Sequence, residues 1–194
     1  DAQATEVTVL AALPSPECAT RVTLVQGLPK ADKLEMIVQK ATELGVWDIL
    51  PVSMARCVAK LDAKDGKKYD RWRRIALEAA KQSGRAHVPD ILPVCGMPEA
   101  AQWLCAQGYD AVLAAWEEEG DLRLSKALHQ LLAQTPQPKA VALIIGPEGG
   151  ITPAEIGLLA GAGARCVTLG KRILRTETAG LCALAVTMSA LGEM

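Results

Sequence analysis

Phenylalanine is absent from this 194-residue chain, and all aromatics together make up only 3% of it. A core must therefore be built from Leu, Val, Ile and Ala, which supply half-buried and fully buried surface without large rings. Only two histidines occur, and the six cysteines (Cys18, Cys57, Cys95, Cys105, Cys166, Cys182) are scattered, with no Cys-x-x-Cys pair. That pattern argues against a zinc site and against the disulfide framework of a small secreted domain. No apolar run approaches the roughly 20 residues needed to span a bilayer. The first residues, Asp-Ala-Gln-Ala-Thr-Glu, lack the basic and apolar regions of a signal peptide. A reduced, cytoplasmic protein is expected, with thiols as small core or edge residues, no metal and no membrane.

Net charge is −1, so the whole chain gives no support to polyanion binding. The distribution differs. Between Arg56 and Arg85 ten basic residues stand against four acidic ones. Such a cluster suits a polyanion, because neutralised phosphates release counterions. It equally suits an ordinary solvated helix face with pairs such as Asp70 with Arg74. Charge alone leaves the two even.

The chain is long enough for one domain with a small appendage. Thr5–Leu13 alternates loosely and reads as a strand, ended by Pro14-Ser15-Pro16. Arg21–Gly27 is a buried strand. Lys33–Leu44 places Leu34, Ile37, Val38, Ala41 and Leu44 on one helical stripe closed by Gly45, with Asp32 and Glu35 as a candidate capping box. Val46–Val52 returns as a strand, completing a β-α-β unit suited to a parallel sheet. Tyr69–Gly84 follows as a long helix, then a strand at Pro89–Val94, a helix at Met97–Ala106 and a strand at Asp110–Ala115. Trp116–Asp121 is acidic, reads as a loose exposed loop and is a poor candidate for chemistry. Leu122–Ala133 is an amphipathic helix.

The informative stretch comes last. Val141–Ile145 and Cys166–Leu169 are short apolar strands without alternation, the mark of strands buried on both faces. Each empties into a loop that begins with glycine, and loops at the carboxyl ends of parallel strands are where open α/β sheets bind ligands. The first loop reads Gly146-Pro147-Glu148-Gly149-Gly150, followed by Thr152-Pro153-Ala154-Glu155, a helix start in which Glu155 is a cap rather than a catalytic acid. The second reads Leu169-Gly170-Lys171-Arg172-Ile173-Leu174-Arg175-Thr176-Glu177-Thr178-Ala179. A tight turn explains either loop alone; it explains the pair less well. A helix from about Glu177 to Leu191 is almost uniformly apolar, which suggests burial against a partner subunit as well as the sheet.

These two motifs resemble the signature of the RsmE family, ribosomal RNA methyltransferases of the SPOUT superfamily that act on N3 of a uridine in small-subunit RNA. The resemblance continues through Lys33, Lys40-Ala41-Thr42-Glu43-Leu44-Gly45, Arg56, Glu78, Gln82, Arg85 and Pro89, and covers roughly residues 20–194. It implies an α/β fold with a parallel-sheet core covered by helices and a deep C-terminal trefoil knot at about 141–194. The domain would run from 17 to 194, with 1–16 a remnant strand and linker of an N-terminal PUA-like domain. It implies S-adenosylmethionine as cofactor, a homodimer, and 16S rRNA as substrate, in an assembled 30S subunit.

Carried onto this chain, the cofactor site comprises Leu143, Ile145, Gly146, Glu148, Gly149, Gly150, Leu169, Gly170, Ile173, Leu174, Thr178 and Ala179. Apolar side chains form its walls, and glycine backbones supply close-approaching donors and acceptors. Arg175 and Glu177 are the catalytic candidates: an arginine can stabilise the anion that emerges on uracil, and a carboxylate can take a proton. Glu177 reads equally well as the first-turn acid favoured by a helix dipole. RNA-binding candidates are Arg56, Lys60, Arg73, Arg74, Gln82 and Arg85, although Gln82 and Arg85 also suit capping at a helix end, and Lys40 and Glu43 a helix surface. Two other classes remain open. One is a nucleotide-phosphate-binding enzyme using 146–150 as an anion loop, although the loop lacks the Lys-Ser/Thr of a P-loop. The other is a non-catalytic RNA-binding module that keeps the fold.

Overall fold

The computed structural model describes residues 7, 8, 10, 11, 14–59 and 66–194. In chain order the elements are β1 (Arg21–Gly27), α1 (Lys33–Glu43), β2 (Asp48–Ser53), α2 (Gly66–Ser83), β3 (Asp90–Ile91), β4 (Cys95–Gly96), α3 (Met97–Gln107), β5 (Ala111–Ala115), α4 (Leu124–Gln134), β6 (Ala140–Ile145), α5 (Pro153–Gly161), β7 (Ala164–Val167) and α6 (Thr176–Ala190). Most of the strand expected over Thr5–Leu13 lies outside the described residues; Val7 and Leu10, which are described, are exposed and belong to no strand.

The strands form one parallel sheet in the order β3-β2-β1-β6-β5-β7, with β4 also on β2. All six residues of β6 are buried, and all but the first of β1, because helices cover both faces. One core packs α1, α2, α4 and α6 over residues such as Leu24, Leu143 and Ile145. The other packs α3 and α5 over Val25, Ala142 and Ile144. Successive residues of a strand thus feed opposite cores, the period of two expected of an extended chain. No helix of the described residues is long and apolar enough to cross a membrane.

Local signals explain the helix ends unevenly. At α5 the capping box forms: the Thr152 hydroxyl accepts from Glu155 N and the Glu155 carboxylate accepts from Thr152 N. At α1 it does not. Asp32 has φ −89° and ψ 16°, short of the extended backbone an N-cap requires, and its side chain caps nothing. Glu35 instead accepts from Arg71 of α2 at 2.7 Å. Gly45, at φ +91°, ends α1 in the left-handed region as its position predicts.

The C-terminal path positions the site. From β6, in the middle of the sheet, the chain runs through α5 to β7 at the edge beyond β5. It then crosses back, and α6 packs against β1, β6, α1 and α4. Its buried stripe is Thr176, Ala179, Gly180, Ala183, Leu184, Thr187 and Met188. Gly180 packs closely there: a Cβ would lie 3.1 Å from Gln26 Oε1 and 3.7 Å from Leu24. This return brings the segments after β6 and β7 side by side.

Candidate active site

At the carboxyl ends of β5, β6 and β7 three loops enclose a cavity of about 480 Å³, within the size range of small-molecule sites. Ile145, Gly146, Glu148 and Gly150 line it from the first glycine loop, and Leu169, Gly170, Ile173, Leu174, Arg175 and Ala179 from the second loop and α6. Ten of the residues expected to form a site thus meet in one place. Gly150 has φ +74°, and a Cβ there would come within 2.6 Å of Glu117 Oε1. Gly170 has φ +127°. Both are backbones that side chains disfavour.

Four expected residues do not reach the cavity. Leu143 sits one pleat deeper in β6 and is buried in the core. Gly149 faces the loop after β2, its carbonyl accepting from Arg56 Nη1 at 2.9 Å. Thr178 is exposed on the outer side of α6, turned away from the buried neighbours Thr176 and Ala179. Glu177 is held by Lys33, 3.1 Å from its Nζ.

Lys33 is the residue that local reading undervalued. Its Nζ is 3.0 Å from Glu148 Oε1 as well as 3.1 Å from Glu177 Oε2. The hydrogen bonds it donates to Glu148, then to Glu177, raise its pKa above the ordinary lysine value. Partial burial alone would raise the Glu148 carboxyl. Its own backbone amide, Lys33 and the Lys30 amide outweigh that and hold it below the usual carboxylate range. The Glu177 carboxyl is lowered against the same desolvation by its own amide, by Lys33 and by the charge of Arg175.

A second miss is the acidic loop after β5. It is not loose. Trp116 Nε1 donates to the Ile151 carbonyl at 3.2 Å, and Glu119 Oε1 accepts from the amides of Asp121 and Leu122. Ala115, Trp116 and Glu117 line the cavity. The Arg56 guanidinium lies 3.9 Å from Glu117 Oε1 while holding Gly149, so it joins the loops after β2, β5 and β6. The apolar strand end before Trp116 was the available signal, since any loop leaving a parallel strand's carboxyl end can reach a site there.

A buried hydroxyl joins the two glycine segments. Thr176 Oγ1 donates to the Gly146 carbonyl at 2.6 Å and accepts from Gln26 Nε2 at 2.9 Å. Gly27, at the end of β1, lies against the first loop so closely that a Cβ would come within 2.6 Å of Pro147.

The RNA-binding candidates separate. Arg85 is not available to a ligand: its side chain is 6% exposed, pairs with Glu17 at 2.6 Å, and donates to the Thr42 and Val46 carbonyls. Arg73 is exposed on α2 and faces Asp70 at 3.9 Å, the partner that Arg74 was expected to take. Arg74 and Gln82 flank a shallow groove between α1 and α2. Lys60 lies outside the described residues. The rim of the cavity carries cations of its own, Lys171, Arg172 and Arg175, all exposed.

With this geometry in place, similarity to known proteins becomes informative. A family model for an RNA methyltransferase domain matches residues 16–188. Ribosomal RNA small subunit methyltransferase E of Bacillus subtilis is 41% identical over 170 residues, which cover 87% of this chain and 66% of that protein. The chain therefore spans just under two thirds of that relative. Among solved structures, a putative methyltransferase from Legionella pneumophila in complex with bound SAM is similar with a TM-score of 0.78 and 34% identity, covering 91% of this chain and 69% of that one. A ribosomal RNA small subunit methyltransferase E from Neisseria gonorrhoeae bound to S-adenosyl methionine gives a TM-score of 0.73 and 34% identity, covering 89% and 67%.

Proposed function

Since this chain belongs to the RsmE family of ribosomal RNA methyltransferases, we propose that it transfers a methyl group from S-adenosylmethionine to N3 of a uridine in 16S rRNA. The observation that carries the reading is the cavity between two glycine segments at the carboxyl ends of β5, β6 and β7. The residues present fit the cofactor. Ile145, Leu169 and Leu174 offer apolar walls, and Gly150, without a Cβ, lets its loop pack directly against Glu117 at the cavity edge. The bound cofactor would supply an electrophilic methyl group.

Everything else falls to the chain. The two loops orient the reacting partners, which is the main requirement of an in-line displacement. Arg175 stands exposed on the cavity and forms no ion pair among the described residues, so it is placed to stabilise negative charge on the uracil or to anchor a neighbouring phosphate. Glu177 acts from outside the cavity, through Lys33. Lys171 and Arg172 at the cavity, Arg56 beside it against Gly149 and Glu117, and Arg73 and Arg74 on α2 form the surface for RNA phosphates. The return of the chain across β5 into α6 is the crossing of a trefoil knot. The exposed small and apolar positions of α6, Cys182 and Val186 among them, face a second copy in a homodimer. Residues 17–194 form the catalytic domain, and the enzyme works in the cytoplasm on the 30S subunit.

A phosphate-binding reading is weaker on one specific ground. The N-terminus of α5, where an anion would sit, already holds the Glu155 carboxylate, which accepts from Thr152 N at 2.9 Å and from Ala55 N at 2.7 Å.

Calorimetric titration with S-adenosylmethionine, beside ATP, tests the proposal, followed by transfer of labelled methyl to small subunits. Saturable binding of the first alone, with label recovered in 16S rRNA as N3-methyluridine, is expected. Binding of ATP instead would overturn the reading, and cofactor binding without transfer to any RNA would leave the non-catalytic module in its place.

A further inference from the structure

Two acids, Glu117 and Glu148, line the cavity, a third, Glu177, stands outside it, and the three are not equivalent. Glu117 lines it with a side chain 44% exposed and only a loose partner in Arg56. Glu148 and Glu177 share one cation. Lys33 opens α1, immediately after the turn that leaves β1, and its ammonium bridges the tip of the first glycine loop to the first turn of α6. The Lys30 amide adds bonds of 3.1 and 3.3 Å to the two oxygens of Glu148. Three segments far apart in sequence are thereby pinned at one point.

The pairs are partly exposed, so their strength as isolated salt bridges is modest. Their consequence is electrostatic and geometric. Glu177 lies two residues beyond Arg175, and the charge of Arg175 contributes to keeping its carboxyl ionised. Glu177 therefore has two possible cations. While Lys33 holds it, Arg175 stays on the cavity wall. Glu148 belongs to the cavity-lining loop yet has both oxygens engaged by Lys30 and Lys33, before and at the start of α1, so its charge is drawn away from the space the loop encloses.

We propose that Lys33 is a positioning residue that restrains both carboxylates, Glu148 to set the first loop for the cofactor and Glu177 to leave Arg175 free for the RNA base. This rests on the proposed function, and it goes beyond it by giving the two carboxylates separate duties under one cation.

The separation is what the experiment reads. S-adenosylmethionine affinity, the kcat of methyl transfer at saturating cofactor, and thermal stability without cofactor are measured for the wild type, K33M, K33R, K33M/E148Q and K33M/E177Q. K33M weakens cofactor binding by about tenfold, because a loop no longer preorganised must be ordered on binding, and it lowers kcat. K33R restores both, since a guanidinium also spans two carboxylates. K33M/E148Q recovers affinity but not kcat, and K33M/E177Q recovers kcat but not affinity. A K33M protein that melts earlier with unchanged affinity and kcat overturns the proposal, as do double variants indistinguishable from K33M. A wild type that fails to bind the cofactor overturns the proposed function itself, an outcome separable from these. The affinity comparison stands whether or not transfer is fast.

Discussion

The hydroxyl of Thr176 and the carbonyl of Gly146, 30 residues apart, meet at 2.6 Å where α6 begins beneath the first glycine loop. Because that hydroxyl donates to Gly146, it must accept from Gln26 Nε2, which orients the buried Gln26 amide and leaves its Oε1 without a hydrogen bond against Gly180. Thr176→Val removes both bonds at nearly constant volume. A buried carbonyl and a buried amide proton lose their partner, a cost of about 1–3 kcal/mol. Urea unfolding should show that loss, with Thr176→Ser close to wild type. Equal midpoints for Val and Ser would mean the hydroxyl contributes nothing.

Gly27 places the same loop from the other side. An alanine methyl there overlaps Pro147, whose N and Cδ both lie 2.6 Å from the Cβ position. The loop must move, at a cost of about 1–3 kcal/mol for overpacking. Gly27→Ala should therefore weaken S-adenosylmethionine binding more than Gly157→Ala, where nothing lies within 4 Å. Titration calorimetry compares them, and equal affinities would remove Gly27 from the site's support.

Arg85 belongs to the fold rather than to the ligand surface. Its partner Glu17 is 12% exposed and also accepts from the amides of Ala86 and His87. Arg85→Ala leaves the largely covered Glu17 carboxylate without its cation and removes a donor from the Thr42 and Val46 carbonyls, which costs about 3–5 kcal/mol. The protein that remains folded should bind RNA as before. Normal stability with weakened RNA binding would return Arg85 to the interface.

The same pair makes stability depend on pH with a definite sign. Burial alone would raise the Glu17 carboxyl, but the bonds from Arg85, His87 and Ala86 lower it below the ordinary value of 4.5. A folded-state value below the unfolded one means the unfolded chain binds more protons in that window. The contribution is therefore complete above 4.5 and is lost as pH falls through the lower folded value. Glu148 and Glu177 add with the same sign, while burial, then the charge of Asp90, raises the Asp48 carboxyl and opposes them. Denaturant unfolding between neutral pH and acid should show a shallower decline in Glu17→Gln. An unchanged slope would contradict the pairing.

Arg175 separates binding from chemistry. Arg175→Ala should abolish methyl transfer, with cofactor affinity changed no more than a few-fold, because the apolar walls and glycine backbones remain. Full transfer by this variant, measured with labelled cofactor on small subunits, would strip Arg175 of its role.

How far the sequence reaches is clearest from these residues. The strands from Arg21 and to Ile145, the turn at Gly45 and the Thr152–Glu155 cap follow from interactions within a few residues, and the sequence contains them whole. The two glycine segments were legible for the same reason: an apolar strand followed by glycine is a local pattern with a known place in a parallel sheet. The failures share one cause. Glu35 turns to Arg71, Arg85 to Glu17, and Lys33 to Glu148 and Glu177, partners 36, 68, 115 and 144 residues away. Charges in sequence have no preferred partner; strand order assigns one. Placing β6 between β1 and β5, with the chain returning from β7, sets the start of α1 beside both glycine segments and brings Glu117 against Gly150. Local chemistry determined which segments could make a site. Only the order of the sheet, fixed by burying β1 and β6 on both faces, decided which side chains face it.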